Sequence, residues 1–288
     1  MDSLPALILK LKNPRILWFA SWYQSAPSPL VGFSEGQRSD NFKLIALLYW
    51  LMQLPIKPLI NNFADFVLVN NDQEKKQFPK LNKKNHAIVV LGAVDLEAID
   101  RYKTLHPKPY TPSPNFDGVF QGRFHPQKGV VELIDIWKKV TDKMPNAKLA
   151  MIGDGPLMKK VKLQITKYKI QNNVELFGWV FDGPVKYKIF SQSMVVVHPA
   201  FYDSGGMASA EAMVFGIPAV GFNLPAYKSY YPQGMVKVEV GDLDGFARAV
   251  MKLINDKKYR DGVVKKGLKM IKANWSWDKR AAQILQLM

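Results

Sequence analysis

Cysteine is absent from this chain of 288 residues, and histidine occurs only four times. The absence of cysteine excludes disulfides, thiolate metal ligands and cysteine nucleophiles, and nothing in the composition favours an oxidising compartment. The histidines, at positions 86, 106, 125 and 198, are too scattered to suggest a metal cluster. The sequence therefore predicts neither a metal site nor a bound cofactor.

Long apolar runs are also missing. The most apolar segment, residues 42–60, contains Gln53, Lys57 and two prolines, and it falls short of the roughly 20 apolar residues of a membrane-spanning helix. A buried core helix is favoured here over an interfacial helix. Residues 1–15 begin in a strand-like run and lack the basic and then apolar pattern of a signal peptide. We therefore expect a cytoplasmic protein.

Positive charge is in excess and is concentrated in the second part of the chain. The net charge is +16, with 13 Lys and Arg against 9 acids in residues 1–106 and 27 against 15 in residues 107–288. In residues 159–169 and 257–272 the lysines lie largely opposite an apolar helical face, which favours a solvated surface. Attraction to anionic lipid or phosphorylated ligands is the next interpretation. Nucleic acid comes last, because no nucleic-acid motif accompanies the charge.

The order of strands and helices predicts an α/β protein with two domains. Residues 1–106 contain three strand patterns, at 14–23, 63–71 and 86–95, and a loop at 25–41. Four prolines predict an extended linker at 107–116. Strands and helices then alternate with short connections, which is typical of a doubly wound parallel sheet that binds ligands at the carboxyl ends of its strands.

The stretch from His198 to Phe222 is the best candidate for a binding site. A buried strand leads into Ser204, Gly205 and Gly206, which open a helix that begins at Met207. Backbone N–H groups at such a helix start suit a phosphate. Asp203 and Glu211 bracket this turn. Phosphate would repel both acids, so we expect them to accept hydrogen bonds from hydroxyls on either side of a diphosphate, as in a nucleotide sugar. The alternative is that each acid is a helix cap or a solvated charge.

The same stretch resembles a known family. An acid, seven residues and then Glu-Ala-Met resemble the E-x7-E signature of retaining glycosyltransferase family four, which has the GT-B fold of two Rossmann-like domains. The resemblance implies that Glu211 binds the ribose and Asp203 the sugar, although Asp203 stands where the family usually has Glu. A metal-independent transferase is implied, with Ser204, Gly205, Gly206 and Met207 binding the donor.

A second motif of that family follows the first strand of the second domain. Residues 122–129, GRFHPQKG, resemble the family's GR-x(3,4)-KG loop. The resemblance implies that Gly122 lies at the donor and that Arg123 and Lys128 neutralise a departing nucleoside diphosphate. On spacing alone, cations of an ordinary surface loop are the favoured interpretation, and the presence of Glu211 in the second motif reverses this preference. His125 is expected to be a solvated loop residue and His198 a structural one.

The resemblance extends to the domain organisation. Residues 63–71 and 86–95 resemble late strands of the family's first domain, which implies that residues 1–106 form an incomplete acceptor-side domain. Residues 117–274 then form the donor domain, and residues 275–288 resemble the terminal helix that crosses back. An incomplete first domain leaves an alternative function: a nucleotide-sugar-binding module or subunit that needs a protein partner to supply the missing strands.

The nature of the substrates follows from the first domain. Residues 54–71 resemble mannosyltransferases of lipid-linked oligosaccharides, so GDP-mannose is the first candidate donor and a UDP-sugar the second. Aromatic residues interspersed with cations suggest peripheral attachment to the inner membrane face and a glycan or glycolipid acceptor. The alternative is that the aromatic residues are core. The residues concerned are Trp18, Phe19, Trp22, Tyr23, Tyr49, Trp50, Lys10, Lys12, Arg15 and Lys43.

Overall fold

The computed structural model describes residues 3–23, 25–26, 43–106 and 115–286. Most of the predicted loop at 25–41 and of the predicted linker at 107–116 lies outside the described residues. The chain divides into two compact units, Met1–Gly92 with Asp278–Met288, and Ala93–Trp277. These are called unit 1 and unit 2 below. The predicted domain limits, with a linker at 107–116, stay a prediction.

Unit 1 is built on a three-stranded parallel sheet with the strand order β1-β2-β3. Its strands are β1 (Phe19–Trp22), β2 (Phe66–Val69) and β3 (Ala87–Val89). Its helices are α1 (Ser3–Lys12), α2 (Lys43–Gln53), α3 (Ile56–Phe63), α4 (Asp72–Lys75) and α5 (Pro79–Lys83). Trp18 and Trp22 are buried in its core, so for these two residues the core interpretation is confirmed. The core also contains Leu7, Ile60, Val67, Val69, Phe78 and Leu81.

The start of unit 1 differs from the sequence-based expectation. The strand-like run at the beginning is helix α1, because Leu4, Leu7 and Leu11 recur at helical spacing and Leu7 is buried among the core residues. The strand predicted at 14–23 is confirmed only for β1. Residues 14–16 form a turn before it.

The apolar segment at 42–60 is two helices, and the prediction of a buried core helix is wrong for the first of them. Pro55 is the N-cap of α3 and separates it from α2. Ile60 of α3 is fully buried. On α2, by contrast, Leu44 is 69% exposed and Tyr49 60%. A search of the described residues finds no helix with the length and hydropathy needed to span a membrane.

Unit 2 contains a six-stranded sheet in which every recorded strand pair is parallel. The strands are β4 (Phe116–Gln121), β5 (Leu149–Ile152), β6 (Val174–Gly178), β7 (Ser193–His198), β8 (Ala219–Phe222) and β9 (Met235–Val238). The helices are α6 (Leu96–Leu105), α7 (Val130–Lys143), α8 (Met158–Lys167), α9 (Pro184–Ser191), α10 (Met207–Val214), α11 (Pro225–Tyr230), α12 (Leu243–Asn255) and α13 (Lys257–Asn274). The doubly wound parallel sheet is confirmed. Helix α11 was not expected. A last helix, α14, spans Trp277–Leu285.

The order of these strands creates a switch point in unit 2. The sheet runs β6-β5-β4-β7-β8-β9, so the chain builds outward from β4 in one direction and then returns to build outward from β7 in the other. Strands β4 and β7 pair in register at Gly118 with Val195 and at Val119 with Val196. The loops that follow these two strands therefore leave the same edge of the sheet side by side. Ligands of open α/β sheets bind at this place.

Candidate functional site

The loop after β4 carries the first motif predicted from the sequence. A short 3-10 turn, Pro126–Lys128, leads into Gly129, which has a φ of 63° and is the N-cap of α7. Gly122 lies at the start of the loop and donates its N–H to the carbonyl of Ile152 at 3.0 Å. The side chain of Arg123 is exposed, whereas that of Lys128 is only 17% exposed.

The loop after β7 is bound directly to the loop after β4. The N–H groups of Phe201 and Tyr202 donate to the carbonyl of Gln127 at 2.9 and 3.2 Å. Gly129 packs so tightly on the second loop that a Cβ at this position would lie 2.0 Å from the carbonyl oxygen of Pro199. A left-handed φ and this close approach both require glycine at position 129.

Asp203 lies at the centre of the contact between the two loops. Its Oδ2 accepts a hydrogen bond from Lys128 Nζ at 2.5 Å and lies 2.8 Å from Nε2 of His198. Its Oδ1 accepts from the N–H groups of Gly205 at 3.0 Å and Gly206 at 2.9 Å. Because an ionised carboxylate only accepts, we assign the hydrogen of His198 to Nε2.

The carboxylate of Asp203 is ionised although it is buried. Its side chain is 5% exposed. Burial by itself would raise the pKa of Asp203, but Lys128, His198 and the N–H of Gly205 together hold this pKa well below its usual range. The ring of His198 is 2% exposed, in agreement with the structural role expected for it.

The glycine turn differs from the open anion cradle that the sequence suggested. The N–H groups of Gly205 and Gly206 already bind Asp203, so in this structure they face a carboxylate of the protein itself. Tyrosines beneath the turn require both glycines: a Cβ on Gly205 would lie 2.4 Å from the ring of Tyr230, and one on Gly206 would lie 2.9 Å from the hydroxyl of Tyr227.

The start of α10 keeps one feature of an anion site. Met207 is the first residue of this helix and is partly exposed, as is Ser204 before it. Within the described part of the chain, no side chain caps the helix. The carboxylate of Asp203, bound to the N–H of the N-cap residue Gly206, is the anion recorded at the positive end of the helix dipole. The donor-binding roles assigned to Ser204, Gly205, Gly206 and Met207 stay predictions.

Glu211 lies on α10, eight residues after Asp203, and has a partner that the sequence analysis missed. Its Oε2 accepts a hydrogen bond at 2.7 Å from Nζ of Lys186, a lysine of α9 whose side chain is 1% exposed. Burial raises the pKa of Glu211 above its usual value, although Lys186 opposes this shift. A signal for Lys186 was present, because Ile189 and Phe190 follow it at the three- and four-residue spacing of a buried helix face.

Of the four residues predicted to be catalytic, the described part of the chain shows one pair in contact and two residues apart from that pair. Lys128 and Asp203 are in contact. Glu211 is bound to Lys186, and Arg123 is exposed with no partner recorded for its guanidinium in the described residues. His125 is half-buried, contrary to the expectation of a solvated ring. Burial, Arg123 and Lys128 lower the pKa of His125, which leaves the ring neutral at pH 7.

Comparisons with known proteins identify the family of this chain. Residues 101–270, more than half of the chain, match the family described as glycosyl transferases group 1. The chain belongs to this family. All the residues discussed above in the loops after β4 and β7 and on α9 and α10 lie within the matched region.

Similar proteins support the same assignment. An uncharacterized glycosyltransferase of Methanocaldococcus jannaschii is 28% identical over 225 residues, which are 74% of this chain and 49% of that protein. A capsular polysaccharide biosynthesis glycosyltransferase of Staphylococcus aureus is 26% identical over 238 residues, which are 79% of this chain and 62% of that protein. The chain thus spans about half to three fifths of the length of these two relatives.

A solved structure confirms the fold class. The Anabaena protein HepE, crystallised with UDP and glucose, superposes with a TM-score of 0.73 and 16% identity, over 99% of this chain and 74% of that one. At this identity the similarity shows the fold alone. It is the GT-B arrangement of two Rossmann-like domains expected from the sequence.

The packing of Gly129 on Pro199 leads to a prediction. Gly129→Ala adds a methyl group whose carbon would lie 2.0 Å from the carbonyl oxygen of Pro199, so the two loops must separate. We expect a loss of about 1–3 kcal/mol in the free energy of unfolding, together with weaker binding at the site, measured by urea denaturation and calorimetry.

Gly262→Ala is the matched control. Gly262 lies in α13, and a Cβ there would meet no atom within 4 Å. Because alanine is the better helix former, this change should stabilise the protein by up to about 1 kcal/mol. Equal effects of the two substitutions would contradict the tight packing between the loops.

Proposed function

We propose that this protein transfers a sugar from a nucleotide-sugar donor to a glycan or lipid-linked acceptor with retention of configuration. The observation that carries the proposal is the meeting of the loops after β4 and β7 at the switch point of the unit 2 sheet. Arg123, Lys128, the carboxylate of Asp203 and the start of α10 occur together there. This combination suits a diphosphate with hydroxyl groups on either side.

The proposed roles follow from the position and chemistry of each residue. Arg123 and Lys128 bind the diphosphate, because they are the cations of the loop after β4. Glu211 accepts a hydrogen bond from the ribose, and Asp203 from the transferred sugar. Lys128 is bound to Asp203 in this structure, so the diphosphate must compete with the carboxylate of Asp203 for that lysine. Among the described residues no such contact is recorded for Arg123, so we expect it to engage the phosphate first.

The proposed reaction needs no nucleophile from the protein. The bond between the anomeric carbon and the diphosphate oxygen breaks, and the acceptor oxygen bonds to that carbon on the same face. The acceptor proton passes to an oxygen of the departing diphosphate. In this scheme the protein contributes positioning and stabilisation of the charge on the leaving group. Two cations beside the diphosphate perform that stabilisation without a metal ion.

Calorimetry with UDP and with GDP, in the presence of a chelator, tests the site. Glu211→Ala and Arg123→Ala each remove a charge-assisted hydrogen bond, worth about 1.5–3 kcal/mol. We expect the affinity for the preferred nucleotide to fall by about tenfold or more in each variant. Preference for GDP supports a GDP-mannose donor, and preference for UDP supports a UDP-sugar.

Two exposed residues of unit 2 provide controls of the same types. Arg248 is exposed on α12 and Glu175 on β6, and neither lies in the loops of the site. Their alanine variants should keep the wild-type affinity. Unchanged affinity in both Glu211→Ala and Arg123→Ala, with folding intact, would refute the site. Donor hydrolysis measured on the same samples distinguishes a transferase from a module that binds the donor without turnover.

The acceptor side of the proposal rests on unit 1. A cavity of about 810 Å³ is lined by β1 along its length and by residues from α1 and α2, among them Leu4, Tyr49 and Met52. These three side chains are 46–60% exposed. We infer that this apolar rim contacts the lipid part of the acceptor at the inner membrane face, with Lys12 and Arg15 nearby in sequence as exposed cations.

Vesicle co-sedimentation tests the membrane contact. We expect binding at low salt to vesicles that contain phosphatidylglycerol and not to phosphatidylcholine alone. Leu48→Ser and Tyr49→Ser together should reduce binding severalfold, because both residues are exposed on α2. Leu163→Ser, which changes a similarly exposed leucine of α8, should have no effect. Protein that stays in the supernatant with anionic vesicles would exclude peripheral attachment.

A further inference from the structure

Lys186 is a buried cation in an unfavourable place. It belongs to the first turn of α9, and its side chain is 1% exposed. The N-terminal end of a helix carries positive partial charge, which disfavours a cation. Burial of a charge away from water is costly as well, unless the charge is paired. A lysine at this position therefore depends on the groups that surround its ammonium.

Two carboxylates surround that ammonium. Nζ lies 2.5 Å from Oδ1 of Asp182 in the preceding loop and 2.7 Å from Oε2 of Glu211 on α10. Asp182 is 79% exposed, whereas Glu211 is 21% exposed. The rings of Tyr187 and Phe190 lie 5.8 and 5.9 Å from Nζ and add weak cation–π attraction. Burial would lower the pKa of Lys186, but Glu211 and Asp182 raise it above its usual value, so the lysine stays charged.

The contact restricts the carboxylate of Glu211. Its Oε2 is bound to Lys186, while for Oε1 no hydrogen bond is recorded within the described ranges. A carboxylate held by one oxygen has lost most of its freedom to rotate, so a ligand that binds the other oxygen need not order it. One fixed acceptor oxygen remains for a hydroxyl group.

We propose that Lys186 is a positioning residue, which holds Oε2 of Glu211 so that Oε1 accepts a hydrogen bond from a ribose hydroxyl of the donor. The inference rests on the proposed function, because it assumes that Glu211 binds the ribose. It adds a residue on a different helix that acts through Glu211 without touching the ligand.

The proposal also determines how binding depends on pH. The charged groups that face Glu211 are Lys186 and Asp182, and the hydroxyls of Tyr187 and Tyr231 lie close enough to sense its charge. Burial raises the pKa of Glu211, and Lys186 counteracts this rise. The ionised carboxylate, present above its pKa, is the form that accepts a hydrogen bond. Without Lys186 the pKa rises further, so ribose-dependent affinity should fall at a higher pH than in the wild type.

The test compares UDP with 2′,3′-dideoxy-UDP, which lacks the ribose hydroxyls, in calorimetric titrations of the full chain. Lys186→Met removes the charge and keeps the length of the side chain. We expect about tenfold weaker UDP binding at pH 7 and an unchanged affinity for the dideoxy compound. The loss of UDP affinity on acidification should begin at a higher pH than in the wild type.

Lys188→Met is the matched control, because Lys188 lies on the same helix and is exposed. It removes the same charge from the protein and should leave both affinities and the pH profile unchanged. Lys186→Arg, which keeps a cation, should recover part of the preference for UDP. If Lys186→Met does not fold, Lys186→Gln, which also removes the charge, provides the same comparison of the two ligands.

The outcomes separate this inference from the proposed function. A wild-type protein that binds UDP and the dideoxy compound equally would refute the ribose contact of Glu211, and with it this inference. A clear preference for UDP that is lost in Glu211→Gln but intact in Lys186→Met and Lys186→Arg would refute the role of Lys186 alone. If Lys186→Met lowered the affinities for UDP and for the dideoxy compound equally, the role of Lys186 would be a general structural one, and the proposal would likewise be overturned.

Discussion

The buried carboxylate of Asp203 is the interaction on which the site depends. One oxygen binds Lys128 from the loop after β4, and the other binds two backbone N–H groups of its own loop after β7. The same side chain thus fixes the glycine turn and joins the two loops that leave the switch point. A charge with a 5% exposed side chain is stable there only because each of its oxygens is bound. The ion pair therefore acts together with the backbone hydrogen bonds from Phe201 and Tyr202 to Gln127 to hold the two loops against each other.

The second buried pair, between Lys186 and Glu211, shows the same principle on the flank of α10. In both pairs a lysine restrains an acid that is expected to bind hydroxyl groups. The pairs differ in what a ligand must do. In the proposed binding mode, a diphosphate at Lys128 has to compete with Asp203, whereas a ribose at Glu211 finds an acceptor oxygen already held in place. Binding energy is thus needed for rearrangement at the phosphate end and less so at the ribose end.

The sequence predicted unit 2 well because its strands are short apolar runs separated by glycine and proline. The pairing of β4 with β7 then brought together the two motifs, residues 122–129 and 198–222, that the sequence placed at one sheet edge. Unit 1 was harder to predict. Helix α2 is apolar on nearly every side, and composition alone does not distinguish a buried helix from one that exposes these side chains.

The details of the site needed three-dimensional information for a physical reason. In a sequence, a lysine or an acid is interpreted as a solvated charge. Only the fold shows that Lys186 is buried and that Asp203 accepts hydrogen bonds from the backbone of its own loop. The glycines at positions 205 and 206 illustrate the same point. Their conformations suit a phosphate as well as a carboxylate, and the structure shows that the carboxylate of Asp203 occupies their N–H groups.

The central claim is that a nucleoside diphosphate binds at the switch point between β4 and β7. Hydrogen–deuterium exchange with and without UDP or GDP measures this most directly, because it locates the protected amides along the chain. The account predicts slower exchange in residues 122–129 and 203–211, with α13 unchanged. The claim would be contradicted if saturating nucleotide slowed exchange elsewhere in unit 2 and left exchange in both of these segments unchanged.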